Sequence, residues 1–127
     1  MKKIEAIIRQ ERLPVVRAAL EAIGVRAMTI SQVVGHGDQL GVQHQWKGNT
    51  YRVDLLPRIK LETVIATTPV DLVVNTIMEA ARTGEVGDGK IFVSEIEEVY
   101  RIRSGEHGTV ALNNASAWDR VAADQSR

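Results

Sequence analysis

The residues best suited to chemistry lie in RTGEVGDGKIF, residues 82–92. Its glycines let backbone N–H groups approach an anion closely, and Lys90 adds a full positive charge. Gly84, Gly89 and Lys90 satisfy the spacing G-x-x-x-x-G-K, but Ile91 stands where a Walker A loop carries the Mg²⁺-binding Ser or Thr. The order is also reversed, because a P-loop runs from strand to helix and this segment runs from helix to strand. It reads as an anion cradle of another kind, or as a plain glycine-rich connection after a helix. A second cluster is Arg101 and Arg103 in YRIRSGE. On an extended segment, spacing two turns both guanidiniums the same way, which suits a phosphate. The alternative is a solvated edge strand protected by its charge. With Arg82 and Lys90 these residues make a stronger case for an anion site than either cluster alone.

Other chemistries lack their residues. The chain has no cysteine, so thiol nucleophiles, disulfides and Cys-based zinc sites are excluded. His36, His44 and His107 stand apart with no HxxxH pair. Ser31, Ser94 and Ser104 have no histidine partner nearby in sequence, and Asp54 with Glu62 reads more simply as strand charge alternation. The aromatics Trp46, Tyr51, Phe92, Tyr100 and Trp118 are too scattered for an RNA-stacking platform. The 16 basic and 16 acidic residues argue against general affinity for nucleic acid or anionic membrane. At the N-terminus, MKKIEAIIRQERL is broken by Glu5 and Arg9, too short a run for a signal peptide or a membrane span. The expectation is a soluble cytoplasmic protein of one domain, 127 residues long.

These candidates need elements to hold them. KKIEAIIR alternates, with Ile4, Ala6 and Ile8 on one face and Glu5, Ile7 and Arg9 on the other, as a strand does. Leu13, Val16, Leu20 and Ile23 form a helical stripe, with Pro14 in its first turn and Gly24 as its stop. Residues 27–34 alternate again, with Met28, Ile30 and one of Val33 or Val34 facing a core. Segment 35–52, with Gly35, Gly37, Gly41 and Gly48, reads as a long functional loop or as a flexible hairpin extending two strands. From Val53 to about Thr67 the chain is strand-like, with Pro57 interrupting the ladder. A helix over 69–82 follows, with Thr68 as its cap and Gly84 as its stop. Residues 91–96 are a strand and 99–103 a short extended piece. The order implies an α+β, ferredoxin-like βαββαβ fold: an antiparallel sheet with two helices on one face and a long loop after the second strand. Ile7 and Val64 make the other face partly apolar, a hint of oligomerisation. In the tail 113–127, Ser116 and Asp119 suggest a capping box, and Trp118, Val121 and Ala122 share a face; a short helix or a disordered tail both fit.

Four segments carry a family resemblance: MKKIEAIIR, GVRAMTISQVVGHG, AARTGEVGDGKIFV and YRIRSGE. Over residues 1–112, without an apparent gap, the chain resembles the PII nitrogen-regulatory signal proteins. The resemblance implies a homotrimer that binds ATP and ADP competitively in the clefts between subunits. It implies a regulator rather than an enzyme, sensing 2-oxoglutarate beside Mg-ATP and acting through an effector loop, here 37–55. Expected partners are an ammonium transporter, which would bring the protein to the membrane periphery, and glutamine synthetase or its modifying enzymes. By position, Thr29, Gly35, Gly37 and Val64 match the adenosine pocket. Gly87, Asp88, Gly89 and Lys90 match the phosphate-binding loop 82–90. Arg101 and Arg103, in the C-terminal loop 101–112, match arginines reaching phosphate from the neighbouring subunit. Gln39 matches the residue that helps hold Mg²⁺ and 2-oxoglutarate, Arg58 a 2-oxoglutarate contact, and Tyr51 the tyrosine that some members carry modified.

The chain also departs from the family pattern. Asp38 replaces an arginine that contacts the γ-phosphate. Leu40 and Arg58 replace lysines, and the guanidinium of Arg58 is not interchangeable with an ammonium. Asn49 and Thr50 precede Tyr51 where a small residue and Glu are usual, Trp46 replaces Tyr, and RQERL replaces RPFKL. The departures weaken the γ-phosphate, 2-oxoglutarate and modification features and leave the core pocket intact. They keep open a divergent sensor of another small metabolite, and a small phosphohydrolase on the same fold, for which no water-orienting residue is evident.

Overall fold

The computed structural model describes residues 1–36, 42–46, 49–53 and 55–112; for 42–46 and 49–53 it describes the backbone. The elements in chain order are β1 (Lys2–Ile8), a 3-10 turn (Gln10–Arg12), α1 (Leu13–Ala22), β2 (Thr29–Gly35), β3 (Val42–Trp46), β4 (Asn49–Val53), β5 (Leu56–Ile65), α2 (Val70–Ala81), β6 (Lys90–Glu95) and a last helical turn, α3 (Thr109–Leu112). The main sheet has the order β2-β5-β1-β6, and all its neighbours are antiparallel. With α1 and α2 on one face this is the expected ferredoxin-like arrangement.

Period-two alternation sets the two faces of the sheet. Ile4, Ala6 and Ile8 on β1 and Ile59, Leu61, Thr63 and Ile65 on β5 are buried against Val16, Leu20, Val73 and Ile77 of the helices. Each fully buried aliphatic side chain stabilises the fold by roughly 1.5–3 kcal/mol. The buried Thr63 hydroxyl donates to the Ala27 carbonyl at 2.8 Å, which satisfies it. Among the described residues no helix covers the opposite face, which carries a charged ladder. Glu5 and Glu62 lie directly across from one another, a repulsive pairing on its own. Lys60 bridges them, at 3.2 Å from Glu5 and 3.0 Å from Glu62, and Lys3 lies 3.6 Å from Glu62. Hydrogen bonding to Glu62, and then to Glu5, raises the Lys60 pKa.

Some local expectations are corrected. Segment 35–52 is not an irregular loop throughout, because β3 and β4 pair as a hairpin with the register Val42↔Val53 to Trp46↔Asn49. Their β-branched and aromatic residues favour extended backbone. Thr68 does not cap α2; the N-cap is Pro69, with no side-chain cap bond. That helix ends at Ala81, before Gly84. Pro57 does not break β5. It pairs with Val34 of β2 beyond the last β1 partner, Ile8↔Ile59, so β5 is flanked on one side only at that point. Residues 113–127, with the proposed capping box, lie outside the described residues.

Candidate functional site

The glycine loop between α2 and β6 is held from inside. The Asp88 carboxylate turns back into the loop. One oxygen accepts from the Thr83 and Gly84 N–H groups, each at 2.9 Å, and the other accepts from the Thr83 hydroxyl and from Arg9 Nε at 3.0 Å. These donors, the Thr83 hydroxyl first, hold the Asp88 pKa far below the usual carboxylate range. Arg9 also donates from Nη2 to the Val86 carbonyl at 2.8 Å. Gly89 has a φ of +102° and packs so closely on β1 that an added Cβ would lie 1.7 Å from the Ile7 carbonyl oxygen. Gly87, at φ +100°, needs the same permissive backbone. Lys90 opens β6 opposite Ile7, exposed on the uncovered face.

Strand register locates the other candidates. Residues paired across neighbouring strands point to the same face. Thr29, Val33 and Gly35 on β2, Arg58 and Val64 on β5, and Lys90 on β6 therefore share the uncovered face. They do not converge. Lys90, Ile7, Lys60 and Ser31 form one cross-strand row, and at ~4.8 Å per strand the edges β6 and β2 stand about 14 Å apart. Thr29 and Gly35 bound β2, and at ~3.4 Å per residue they are about 20 Å apart. One adenosine cannot touch both within one subunit. Arg58 is half-buried beside Val33, and its Nη1 donates to the Pro57 carbonyl at 2.9 Å.

Arg101 and Arg103 lie at the far end of the sheet from the glycine loop. Ile96 bonds the Met1 carbonyl at 2.9 Å, which holds the chain beside the start of β1. A groove of about 680 Å³ there is lined by Ala27, Val64, Thr67, Thr109, Val110 and Leu112 among others, so Val64 and the C-terminal segment share one cavity. The two arginines are not on an extended segment. Residues 102–104 form a turn, closed by the Tyr100↔His107 bridge, by Arg101 N–H to Glu106 O at 2.7 Å and by Gly105 N–H to Arg101 O at 2.8 Å. Gly105, at φ +73°, and Gly108, at φ +77°, permit this tight return, so the spacing-two argument fails. Arg101 is half-buried and donates to the Ala111 carbonyl at 3.2 Å, whereas Arg103 is exposed.

The candidates therefore form two groups at opposite ends of the subunit. Gly35, Arg58 and Gly87–Lys90 lie toward one end and Val64, Arg101 and Arg103 toward the other, while Thr29, opposite Glu62, stands one row from Lys90 but on the far edge strand. Gly37 and Gln39 lie outside the described residues. Tyr51 lies on β4, described at backbone level. Among the described residues no group of three His, Asp or Glu could hold a metal ion, and no helix is long and apolar enough to cross a membrane. Sequence reasoning missed Arg9 and Thr83. Arg9 is 79 residues from its partner Asp88, so no local spacing could reveal the pair.

The family model described as nitrogen regulatory protein P-II matches residues 1–106. The chain belongs to the P-II nitrogen regulatory protein family. It is 52% identical over 112 residues to nitrogen regulatory protein P-II 2 of Methanothermobacter thermautotrophicus, covering 88% of this chain and 97% of that relative. It is 49% identical to nitrogen regulatory protein P-II of Microchaete diplosiphon and 46% to that of Rhizobium meliloti, each over 88% of this chain and 100% of the relative. These P-II relatives are named as regulators. The braced glycine loop falls inside the matched region, and the tail 113–127 falls beyond the family match.

Proposed function

We propose that this P-II chain is a signalling subunit that binds ATP and ADP competitively in clefts between copies of itself, as a homotrimer. Bound nucleotide would set the behaviour of segment 37–55 toward nitrogen-metabolism partners such as an ammonium transporter, glutamine synthetase or its modifying enzymes. One observation carries this reading: the nucleotide residues are divided between opposite ends of the subunit. A loop fit for phosphates sits at one end, the adenosine candidate Val64 sits with Arg101 and Arg103 at the other, and Thr29 stands across the sheet on the opposite edge strand. A second copy that brings its far end against the glycine loop would complete a site neither copy holds alone. The uncovered sheet face, with half-buried Ile7 and Val64 and exposed Phe92, supports self-association.

Within such a cleft Lys90 and the glycine N–H groups would neutralise phosphate charge, joined by the neighbour's Arg103 and Arg101. Mg²⁺ would enter with the ATP phosphates, which supply oxygen ligands, with Gln39 and 2-oxoglutarate completing its shell. Asp38 puts a carboxylate where the family carries a cation, so ADP should bind at least as well as ATP. Leu40 and Arg58 should weaken the coupling to 2-oxoglutarate, and whatever coupling exists must be reciprocal.

Calorimetry with ATP, ADP and AMP, with and without Mg²⁺ and 2-oxoglutarate, tests this. Comparable ATP and ADP affinities with little 2-oxoglutarate enhancement are expected. Failure to bind either nucleotide would sink the reading. ATP binding much tighter than ADP without 2-oxoglutarate would sink the argument from Asp38, and strong Mg-ATP-dependent 2-oxoglutarate binding would sink that from Leu40 and Arg58.

A further inference from the structure

Two arginines leave one short turn and close on one connection. Arg9 ends the alternating run of β1, and Arg12 precedes Leu13 of α1, with the 3-10 turn Gln10–Arg12 between them. Arg12 donates from Nε and Nη2 to the Ala80 carbonyl, at 2.9 and 2.6 Å. That carbonyl lies in the last turn of α2, where intrahelical donors run out and the helix dipole is negative. Arg9 reaches past the helix end to the glycine loop and holds it at two places, the Asp88 carboxylate and the Val86 carbonyl.

We propose that Arg9 is the positioning residue of the phosphate loop, acting through Asp88 rather than on a ligand. The inference rests on the nucleotide-binding reading above and names the residue that makes that loop competent. The geometry supports an indirect role. The Arg9 side chain is 18% exposed and its partner Asp88 is 25% exposed, so the pair lies mostly beneath the loop. Two separate guanidinium nitrogens serve two acceptors on opposite sides of Gly87, which fixes the path of the backbone from Val86 to Asp88. The planar fork makes this possible, and a lysine ammonium cannot reproduce it. Arg9 also offsets the charge of Asp88. Without it, an uncompensated carboxylate would stand in a loop that must accept phosphates. Thr83 and Gly84 satisfy the other carboxylate oxygen and shape the start of the loop, but they bring no charge.

The test measures ATP, ADP and adenosine binding by the full chain, comparing wild type with Arg9→Met and Arg9→Lys. Arg12→Met serves as the comparison that loosens the helix end and leaves Asp88 paired. Arg9→Met should weaken ATP and ADP about tenfold or more, because a charge-assisted brace is lost, while adenosine affinity stays within about twofold. Arg9→Lys should recover part of that loss, since it returns the charge but not the fork. Arg12→Met should affect all three ligands equally. A generally misfolded site would lower adenosine binding as well, so the dependence on phosphate separates positioning from fold damage. Should Arg9→Met not fold, Arg9→Lys carries the test, with a phosphate-selective loss of about threefold expected. Wild-type binding that depends on phosphate while both Arg9 variants leave it unchanged overturns the role of Arg9 alone. Equal losses for ATP and adenosine overturn it too. A wild-type chain that binds ATP no tighter than adenosine overturns the nucleotide reading and this inference with it.

Discussion

At one end of the sheet the glycine loop 82–90 is tied to the chain just past β1 by one side chain from distant sequence, Arg9. At the other end the 101–106 turn is closed on itself by backbone hydrogen bonds. The first region has Arg9 on Asp88 and Val86, and Gly89 pressed against the Ile7 carbonyl. The second has the Tyr100↔His107 bridge, with Arg103 exposed and Ile102 fully open to solvent. Both offer cations on glycine-rich backbone, yet only the first is braced against the core of its own subunit. The difference teaches a division of labour. In the proposed intersubunit site, one half would be finished within the subunit, and the other would be a projecting turn whose arginine meets a ligand on another copy.

Glycine substitution probes this contrast most strongly. Gly89 and Gly105 both have positive φ, but they differ in surroundings. At Gly89 a methyl group would collide with the Ile7 carbonyl carbon and oxygen, neither of which can swing away. At Gly105 nothing lies within 4 Å. Gly105→Ala should cost about 1–2 kcal/mol, the ordinary strain of a left-handed alanine. Gly89→Ala adds displaced backbone and should cost at least about 3 kcal/mol, lowering Tm by roughly 10 °C or more. Thermal unfolding of the two variants checks the difference. Equal losses would break the comparison, because the loop would then be no more tightly built than the turn.

The next effect is on binding. Lys90→Ala and Arg103→Ala should each abolish most nucleotide affinity while leaving Tm close to wild type, since both side chains are exposed. If each site takes Lys90 from one copy and Arg103 from its neighbour, unfolding the variants together and refolding them should restore binding. Random head-to-tail assembly gives about a quarter of the clefts an intact loop and an intact turn. Titration with ADP would count them. No recovery would place both residues in the same subunit's site and end the argument from divided ends.

Much of this was legible in the sequence, for physical reasons that differ by region. Alternation in KKIEAII and the stripe Val16–Leu20 fixed which faces are buried, because periodicity reports burial directly. The ferredoxin-like fold class followed from the order of elements. Lys90 stood out by residue type and Asp88 through the family resemblance, but the partner of Asp88 did not, since a 79-residue separation leaves no local trace. The extended reading of Arg101–Arg103 failed because Gly105 and Gly108 together permit a tight return, and two-residue spacing alone cannot distinguish a strand from a turn. Segment 35–52 left a loop and a hairpin both open, and the structure pairs β3 with β4. Its glycines suggested loop, while Val42, Trp46, Thr50, Tyr51 and Val53 carry enough β preference for a hairpin.

The smallest expected effect is in acid titration, which compares one carboxylate from each end. Hydrogen bonds from Thr83, Arg9 and Gly84 hold Asp88 far below the usual range. Glu98 is also lowered, first by the Val99 N–H at 3.0 Å, then by the Gly108 N–H, and last by an exposed His107 contact at 3.5 Å. A lowered carboxylate contributes stability above its unfolded pKa and loses it as pH falls through the folded one. Both contributions are therefore intact at neutral pH, and both begin to decline near pH 4. The Glu98 contribution should vanish first, because its donors are fewer and its histidine contact is exposed and screened. Carboxyl-carbon NMR from pH 6 downward should show Glu98 titrating well before Asp88, by more than the ~0.4 unit that separates free Glu from free Asp. Arg9→Lys should move the Asp88 midpoint upward and leave Glu98 unchanged. A gap no wider than that of the free acids would mean that the inward turn of the Asp88 carboxylate does not persist in solution, and the two ends would then be equally loose.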